Sequence, residues 1–305
     1  MDRIEAMKIF IAALDEGSLA GASRRTGRSA AAVSRAVAYL EAHVGVPLLH
    51  RTTRSIRLSE AGERYAAACR RILADLDEAD RQAAGERSVP RGTLTITSTV
   101  FAGVEVLRPI VDAFMAEFPT VNVRMTLLER PVNLVEEGID VALRITHLSD
   151  STLVAQPIGE ARRVVVASPR YLDTHPRIDE PADLARHSIV TMQHMGLDSW
   201  TFPAPEGTTV ARSVSFVPRL VVNNVQAAVG SAVDGNGVTR LLSYHVAGHV
   251  ERGALRVILQ AYEPAPIPIS LVSPHGRLAV PKVRAFADFA LPRLRAQFAR
   301  MTLAD

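Results

Sequence analysis

Seven arginines crowd one stretch of forty residues. Arg24, Arg25, Arg28, Arg35, Arg51, Arg54 and Arg57 stand between Ala20 and Ser59, and Glu41 is the only acid among them. Guanidinium groups pair with phosphate oxygens, so the chemistry open to this block is the binding of a polyanion. The local excess is six positive charges, while the whole chain nets +3, so the remainder is negative by three. Other reactive residue types do not converge. Cys69 is the only cysteine, which rules out an intrachain disulfide and reads best as a packing residue. His245 and His249 have a metal-compatible spacing of four but no third ligand nearby. No nucleophile elbow, P-loop, dinucleotide fingerprint or His-Glu-x-x-His run occurs. No enzyme, metal or cofactor is expected.

The elements that hold the arginines can be read from local signals. Asp2 to Asp15 carries Ile4, Met7, Phe10, Ile11 and Leu14 at helical spacing. Ser18 can cap a short helix, Leu19 to Thr26; Gly27-Arg28 turns the chain. Ser29 can cap a longer helix to Val44, with Gly45 as its stop. Val33, Val37 and Leu40 share its inner face, and Ala30, Ala31, Ser34, Arg35 and Ala38 its outer one. Leu48 to Leu58 reads as a β-hairpin with Arg51, Thr52, Thr53 and Arg54 at its tip. Two helices with a tight turn, followed by a wing, form a helix-turn-helix whose second helix can enter the major groove. Each arginine has a plainer reading as a solvated surface charge.

Tyr65, Cys69, Ile72, Leu76, Ala79 and Ala83 make a heptad seam. A helix over 59–87 would be roughly 42 Å long, so a partner helix from a second subunit is expected, the alternative being packing on its own domain. Ser88 to Gly92 reads as a hinge. Beyond it, strands are expected at Thr93–Thr97, Val121–Leu127, Asp140–Arg144, Arg163–Ala167, Ser188–Met192, Val217–Val222 and Ile267–Val272. Helices are expected up to Phe118 and at Asn133–Glu137, Asn224–Asp234, Ser243–Glu251 and Lys282–Arg300. Alternating strands and helices predict a mainly parallel sheet, here in two lobes with a cleft. Ser98, Thr99 and Asn224 fall where strands give way to helix N-termini, a place that favours an anion.

Residues 1–90 closely resemble the N-terminal domain of LysR-type transcriptional regulators, most strongly in the first 62. The matching runs are Gly17-Ser18-Leu19, Ala20–Ala22, Val33-Ser34-Arg35, Leu40-Glu41, Gly45–Leu49, Arg51–Arg54 and Leu58–Gly62. The rest is more loosely similar to that family's effector-binding domain, whose fold is of the periplasmic-binding-protein type. The resemblance implies an α+β multidomain chain. Residues 1–58 would form a winged helix-turn-helix, 59–87 a linker and dimerisation helix, and 88–92 a hinge. Residues 93–305 would be the effector domain, with lobe I at about 93–162 and 268–305 and lobe II at about 163–267. DNA-contacting positions would be Ser29, Ala30, Ala31, Ser34, Arg35, Arg51, Thr53 and Arg54. Effector positions would be Ser98, Thr99, Arg144, His147, Thr201 and Asn224. Many members have Gln at the position of Ala30; an alanine can only touch a thymine methyl, so Ser34, the wing and DNA shape should carry more of the specificity.

The implied partners are double-stranded DNA and a small-molecule effector, with an anion suggested by the helix N-termini. A homodimer through the linker helix, pairing into a homotetramer, is also implied, with RNA polymerase left open as a further partner. The N-terminal residues lack a signal peptide's apolar core, and no apolar run is long enough to span a bilayer, so the expected location is the cytoplasm. The competing classes are a solute-binding protein and an enzyme built on the α/β domain. The first would need an export signal; the second would need a convergent nucleophile and base.

Overall fold

A computed structural model describes residues 1–51, 56–83, 89–148, 153–193, 198–204 and 211–303. The chain divides into two compact units, one built mainly on Met1–Gly92 and the other on most of Thr93–Asp305.

In the first unit, α1 (Arg3–Asp15), α2 (Leu19–Thr26) and α3 (Ala30–Val44) are followed by β1 (Leu49–Arg51), β2 (Ile56–Leu58) and α4 (Glu60–Ala83). Asp2, Ser18 and Ser29 cap the three helices through their side-chain oxygens. Gly27 and Gly45 end α2 and α3 at φ 66° and 75°, a region costly for residues with a Cβ. Phe10, Ala22, Val33, Ala36 and Leu40 are fully buried in a common core. Ala22 carries no more than a methyl, which suits a close crossing of helices.

The heptad seam of α4 splits. Ala66 and Cys69 lie in the N-terminal core with Tyr65 and Leu73 packed against it, whereas Ile72 is 42% exposed and Ala79 is exposed. The continuous intersubunit seam is therefore corrected: Cys69 faces its own domain, where the core of α1–α3 supplies the apolar partner. Burial pushes its thiol up to about 11.

The second unit opens with β3 (Gly92–Ser98), then α5 (Val100–Ala102), a π turn over Gly103–Leu107, and α6 (Arg108–Glu117). There follow β4 (Val121–Leu127), β5 (Val141–Ile145), β6 (Leu153–Ala161), β7 (Arg163–Ala167), α7 (Pro169–Thr174), β8 (Ile189–Met192), β9 (Ser199–Phe202), β10 (Arg212–Ser215) and β11 (Leu220–Val222). The chain ends with α8 (Val225–Val233), β12 (Val238–Leu242), α9 (Ser243–Glu251), β13 (Arg256–Ile258), β14 (Ile267–Pro274) and α10 (Pro281–Arg300).

Two five-stranded sheets result, ordered β4-β3-β5-β14-β6 and β11-β8-β12-β7-β13. Each anchors a lobe. Both are mixed, which corrects the mainly parallel expectation. β3–β5, β8–β11 and β8–β12 are parallel, but β14 runs antiparallel to β5 and β6, and β7 antiparallel to β12 and β13. The cause is the crossing between sheets: β14 enters the first sheet only after the chain has built the second. Asn133–Glu137 is not a helix; residues 134–138 form turns. The short run between Pro131 and a left-handed Gly138 is too brief to offset helix nucleation. The strand expected from Val217 starts only at Leu220, beyond Pro218, whose missing N–H cannot join a ladder. β7 is buried on both faces: Val164 and Val166 join the core under α8, and Val165 and Ala167 the core that contains Trp200 and Phe202.

Candidate DNA interface and effector cleft

The outward face of α3 consists of the exposed residues Ala30, Ala31, Arg35 and Ala38, with Ser34 half-buried. Ser29 spends its hydroxyl on the backbone N–H of Ala32 at 3.2 Å, so it caps α3. The arginines divide into two groups. Arg25 pairs with Asp15 at 3.2 Å, and Arg28 with Glu5, so both brace α2 and the following turn against α1. Arg24 and Arg35 are exposed and form no ion pair among the described residues. Glu41 accepts from the backbone N–H groups of Leu48 at 2.9 Å and Leu49 at 3.1 Å. The one acid of the basic block thus fixes the first strand of the wing to α3. Arg51 ends β1; Thr53 and Arg54 lie outside the described residues.

In the second unit, Ser98 ends β3 and Thr99 begins the turn into α5. The Ser98 hydroxyl is buried without a hydrogen-bond partner, and the buried Thr99 hydroxyl faces the Tyr244 phenol. Parallel pairing of Thr97 with Ala142 sets the carboxyl end of β3 beside β5, which carries Arg144. Arg144 is half-buried and donates to the Val132 carbonyl at 3.2 Å, and His147 is exposed beyond the strand. These four residues therefore collect at the ends of two neighbouring parallel strands. Thr201 and Asn224 belong to the second lobe. Thr201 is exposed on β9, and Asn224 caps α8 by accepting from Ala227 N at 3.1 Å.

Sequence reasoning missed Glu129 and the setting of Tyr244 and His245 here. Glu129 accepts from Val100 N at 3.0 Å, so a carboxylate of the chain itself already sits at the start of α5. An effector anion at that N-terminus would meet a like charge. Tyr244 and His245, at the start of α9, stack edge-on against Phe101 with centroids 5.7 and 4.8 Å away. Burial holds the Tyr244 phenol well above its usual range and pushes His245 down to about 3, so both are neutral. His245 Nδ1 accepts from Leu242 N at 3.4 Å. Its spacing from His249 thus serves packing and capping, and no metal-ligand group exists among the described residues. Nothing local in the sequence pairs Phe101 with residues more than 140 positions away.

Residues 4–63 match the family model of the bacterial regulatory helix-turn-helix protein, lysR family, and residues 87–295 match that of the LysR substrate binding domain. This chain belongs to the LysR family of transcriptional regulators. The regulator is 33% identical over 291 residues to an HTH-type transcriptional regulator of Xanthomonas campestris pv. campestris, covering 94% of this chain and 84% of that one. It is 30% identical to the HTH-type transcriptional activator AaeR of Escherichia coli, covering 88% and 86%. Among solved structures, CrgA, a LysR-type regulator from Neisseria meningitidis, superposes with a TM-score of 0.60 at 27% identity, covering 95% of this chain and 98% of that one. The full-length virulence activator AphB of Vibrio cholerae gives 0.58 at 26%, covering 96% and 99%. The regulator is a DNA-binding protein with an effector-binding domain, not an enzyme. No helix among its described residues is long and apolar enough to cross a membrane.

Proposed function

We propose that the regulator reads an inverted-repeat operator with α3 and its wing, and that an effector in the cleft of the second unit alters how it lies on DNA. The observation that carries the first half is the division of arginines. Arg25 and Arg28 are tied to acids, while Arg35 stands free beside the small, exposed Ala30, Ala31 and Ala38. In this reading Ser34 and Arg35 meet the bases, Ala30 and Ala31 contact thymine methyls, and Arg51, Thr53 and Arg54 serve the wing. The exposed half of α4, with Ile72, takes a second subunit, and two such dimers form a tetramer. The domain limits are those stated above: residues 1–58, 59–87, 88–92 and 93–305. RNA polymerase is a further partner within the same reading, and the cytoplasm is its setting.

The effector half rests on the buried, unpartnered hydroxyl of Ser98 and the buried hydroxyl of Thr99 beside the strand that carries Arg144. His147 and Thr201 complete the cleft from its two sides, and Asn224 shapes it by capping α8. A gel shift with the promoter region next to the gene tests the DNA reading; no retarded band overturns it. Thr99→Ala should abolish the effector's influence on operator binding and leave operator binding itself. An unchanged response removes Thr99 from the site.

A further inference from the structure

Two arginines of the second lobe, one buried and one half-buried, have no counter-charge among the described residues. Arg240 on β12 is only 7% exposed, and Arg163 opens β7 half-buried. The antiparallel register sets Arg240 opposite Val165 and Arg163 opposite Leu242. Both arginines therefore share the face of Val165, on the side of the aromatic residues of β9. The Arg240 guanidinium is 5.0 Å from the centroid of the Trp200 ring and 5.6 Å from that of Phe202. Its Nη1 donates to the Thr201 carbonyl at 3.0 Å. The Nε atoms of both arginines are buried with no hydrogen-bond partner. No carboxylate among the described residues pairs with either one.

Arg162 provides the contrast, one residue away. Its Nε and Nη2 meet both oxygens of Glu263 at 2.8 and 3.0 Å. Among the described residues, an acid meets Arg162 and none meets the pair beside it. Burial, with the neighbouring Arg163 charge second, pushes Arg240 down to about 10. An isolated buried charge is unfavourable, and two of the same sign more so, unless an anion joins them. Two guanidinium forks match a carboxylate's two oxygens, and the aromatic rings suit a weakly hydrated organic acid better than a phosphate.

We propose that Arg163 and Arg240 form a carboxylate-binding pair, taking an organic acid whose apolar body meets the aromatic strand β9. This deepens the effector-domain reading and rests on it, because Thr201 belongs to both. It also moves the effector's negative charge away from α5, where Glu129 sits, to the opposite lobe.

The test is thermal unfolding of the full-length protein in low-chloride buffer, titrated with acetate, succinate and benzoate, and with benzamide as the uncharged control. At least one carboxylate should raise Tm in a saturable way, by about 2–4 °C at roughly ten times its dissociation constant. Benzamide should give no shift. R240Q and R163Q should each abolish the rise, R240K should weaken it, and R186Q, at an exposed arginine outside the pair, should keep it. Arg163 lies at a strand start and is only half-buried, so R163Q decides the matter if R240Q does not fold. No saturable rise with any carboxylate, or an equal rise in wild type and R163Q, overturns the proposal. A gel shift with the same carboxylate separates the two readings. A thermal rise that depends on the pair, with operator affinity unmoved, supports the carboxylate site and overturns the effector reading.

Discussion

Arg28 in the N-terminal unit is exposed and paired with Glu5, whereas Arg240 in the second unit is 7% exposed and has no acid beside it among the described residues. The same side chain is a brace in one place and an unmet charge in the other. A solvated pair gains little, because water already satisfies both partners. A buried, unpaired guanidinium is costly, so its retention points to a ligand rather than to stability. The difference between the units also holds for their construction. The first is built from neighbours in sequence, while the second joins strands across more than a hundred residues, as β14 does with β5.

The sharpest way to break this separation is to damage one core and watch the other. Phe10 is fully buried and its ring lies 6.1 Å from Tyr65. Phe10→Ala should cost the N-terminal unit about 3–5 kcal/mol. Scanning calorimetry should show its transition fall while that of the second unit stays; a joint shift would mean that the units melt as one. A gentler pair uses one glycine from each. A Cβ at Gly62 would lie 1.9 Å from the Leu48 carbonyl oxygen, and one at Gly237 would lie 2.3 Å from that of Ser188. G62A and G237A should each destabilise only their own unit, by about 1–3 kcal/mol. Loss of both transitions in either variant would break the comparison.

The third test concerns acid. The folded state lowers the His245 pKa from 6.5 to about 3, so the unfolded chain takes the proton first. Its contribution to stability is whole above pH 6.5 and declines as pH falls toward about 3, by at most about 1.4 kcal/mol per pH unit. His245→Gln should flatten that limb for the second unit. It should not remove it, since His187 and His249 are also lowered by burial. An unaltered limb in the variant would show that His245 does not set it. The smallest effect on stability comes from the exposed arginines. R28Q should change stability by less than about 1 kcal/mol. R35Q should be as mild in stability but should weaken operator binding and reduce the salt slope by about one. Equal operator affinities for the two variants would erase the distinction drawn between paired and free arginines.

What was legible in the sequence follows the same line. Ser18, Ser29, Gly27 and Gly45 act within one turn of themselves, so the helix-turn-helix could be bounded from composition and spacing alone. The half-alanine face of α3 was legible for the same reason. Strand direction in the mixed sheets was not, because it depends on when the chain returns to a sheet. The seam on α4 was readable as apolar, but its period could not say that Cys69 would find its partner in α1–α3. The strands β6, β9, β10, β12 and β13 went unread because short runs such as Arg212–Ser215 carry little pattern without their neighbours. Arg163 and Arg240 are 77 positions apart, and the absence of an acid near them among the described residues is visible only once the strands are paired.

The exposed surface of α3 has a practical consequence. Its outward positions 30, 31 and 38 are alanines, which hold nothing in place, while Ser29, Glu41 and the buried valines secure the helix from other sides. Side chains installed at 30 and 31 would have few native interactions to sacrifice. On the proposed reading of α3 as the base-reading helix, that makes this regulator a ready scaffold for re-targeting to a chosen operator.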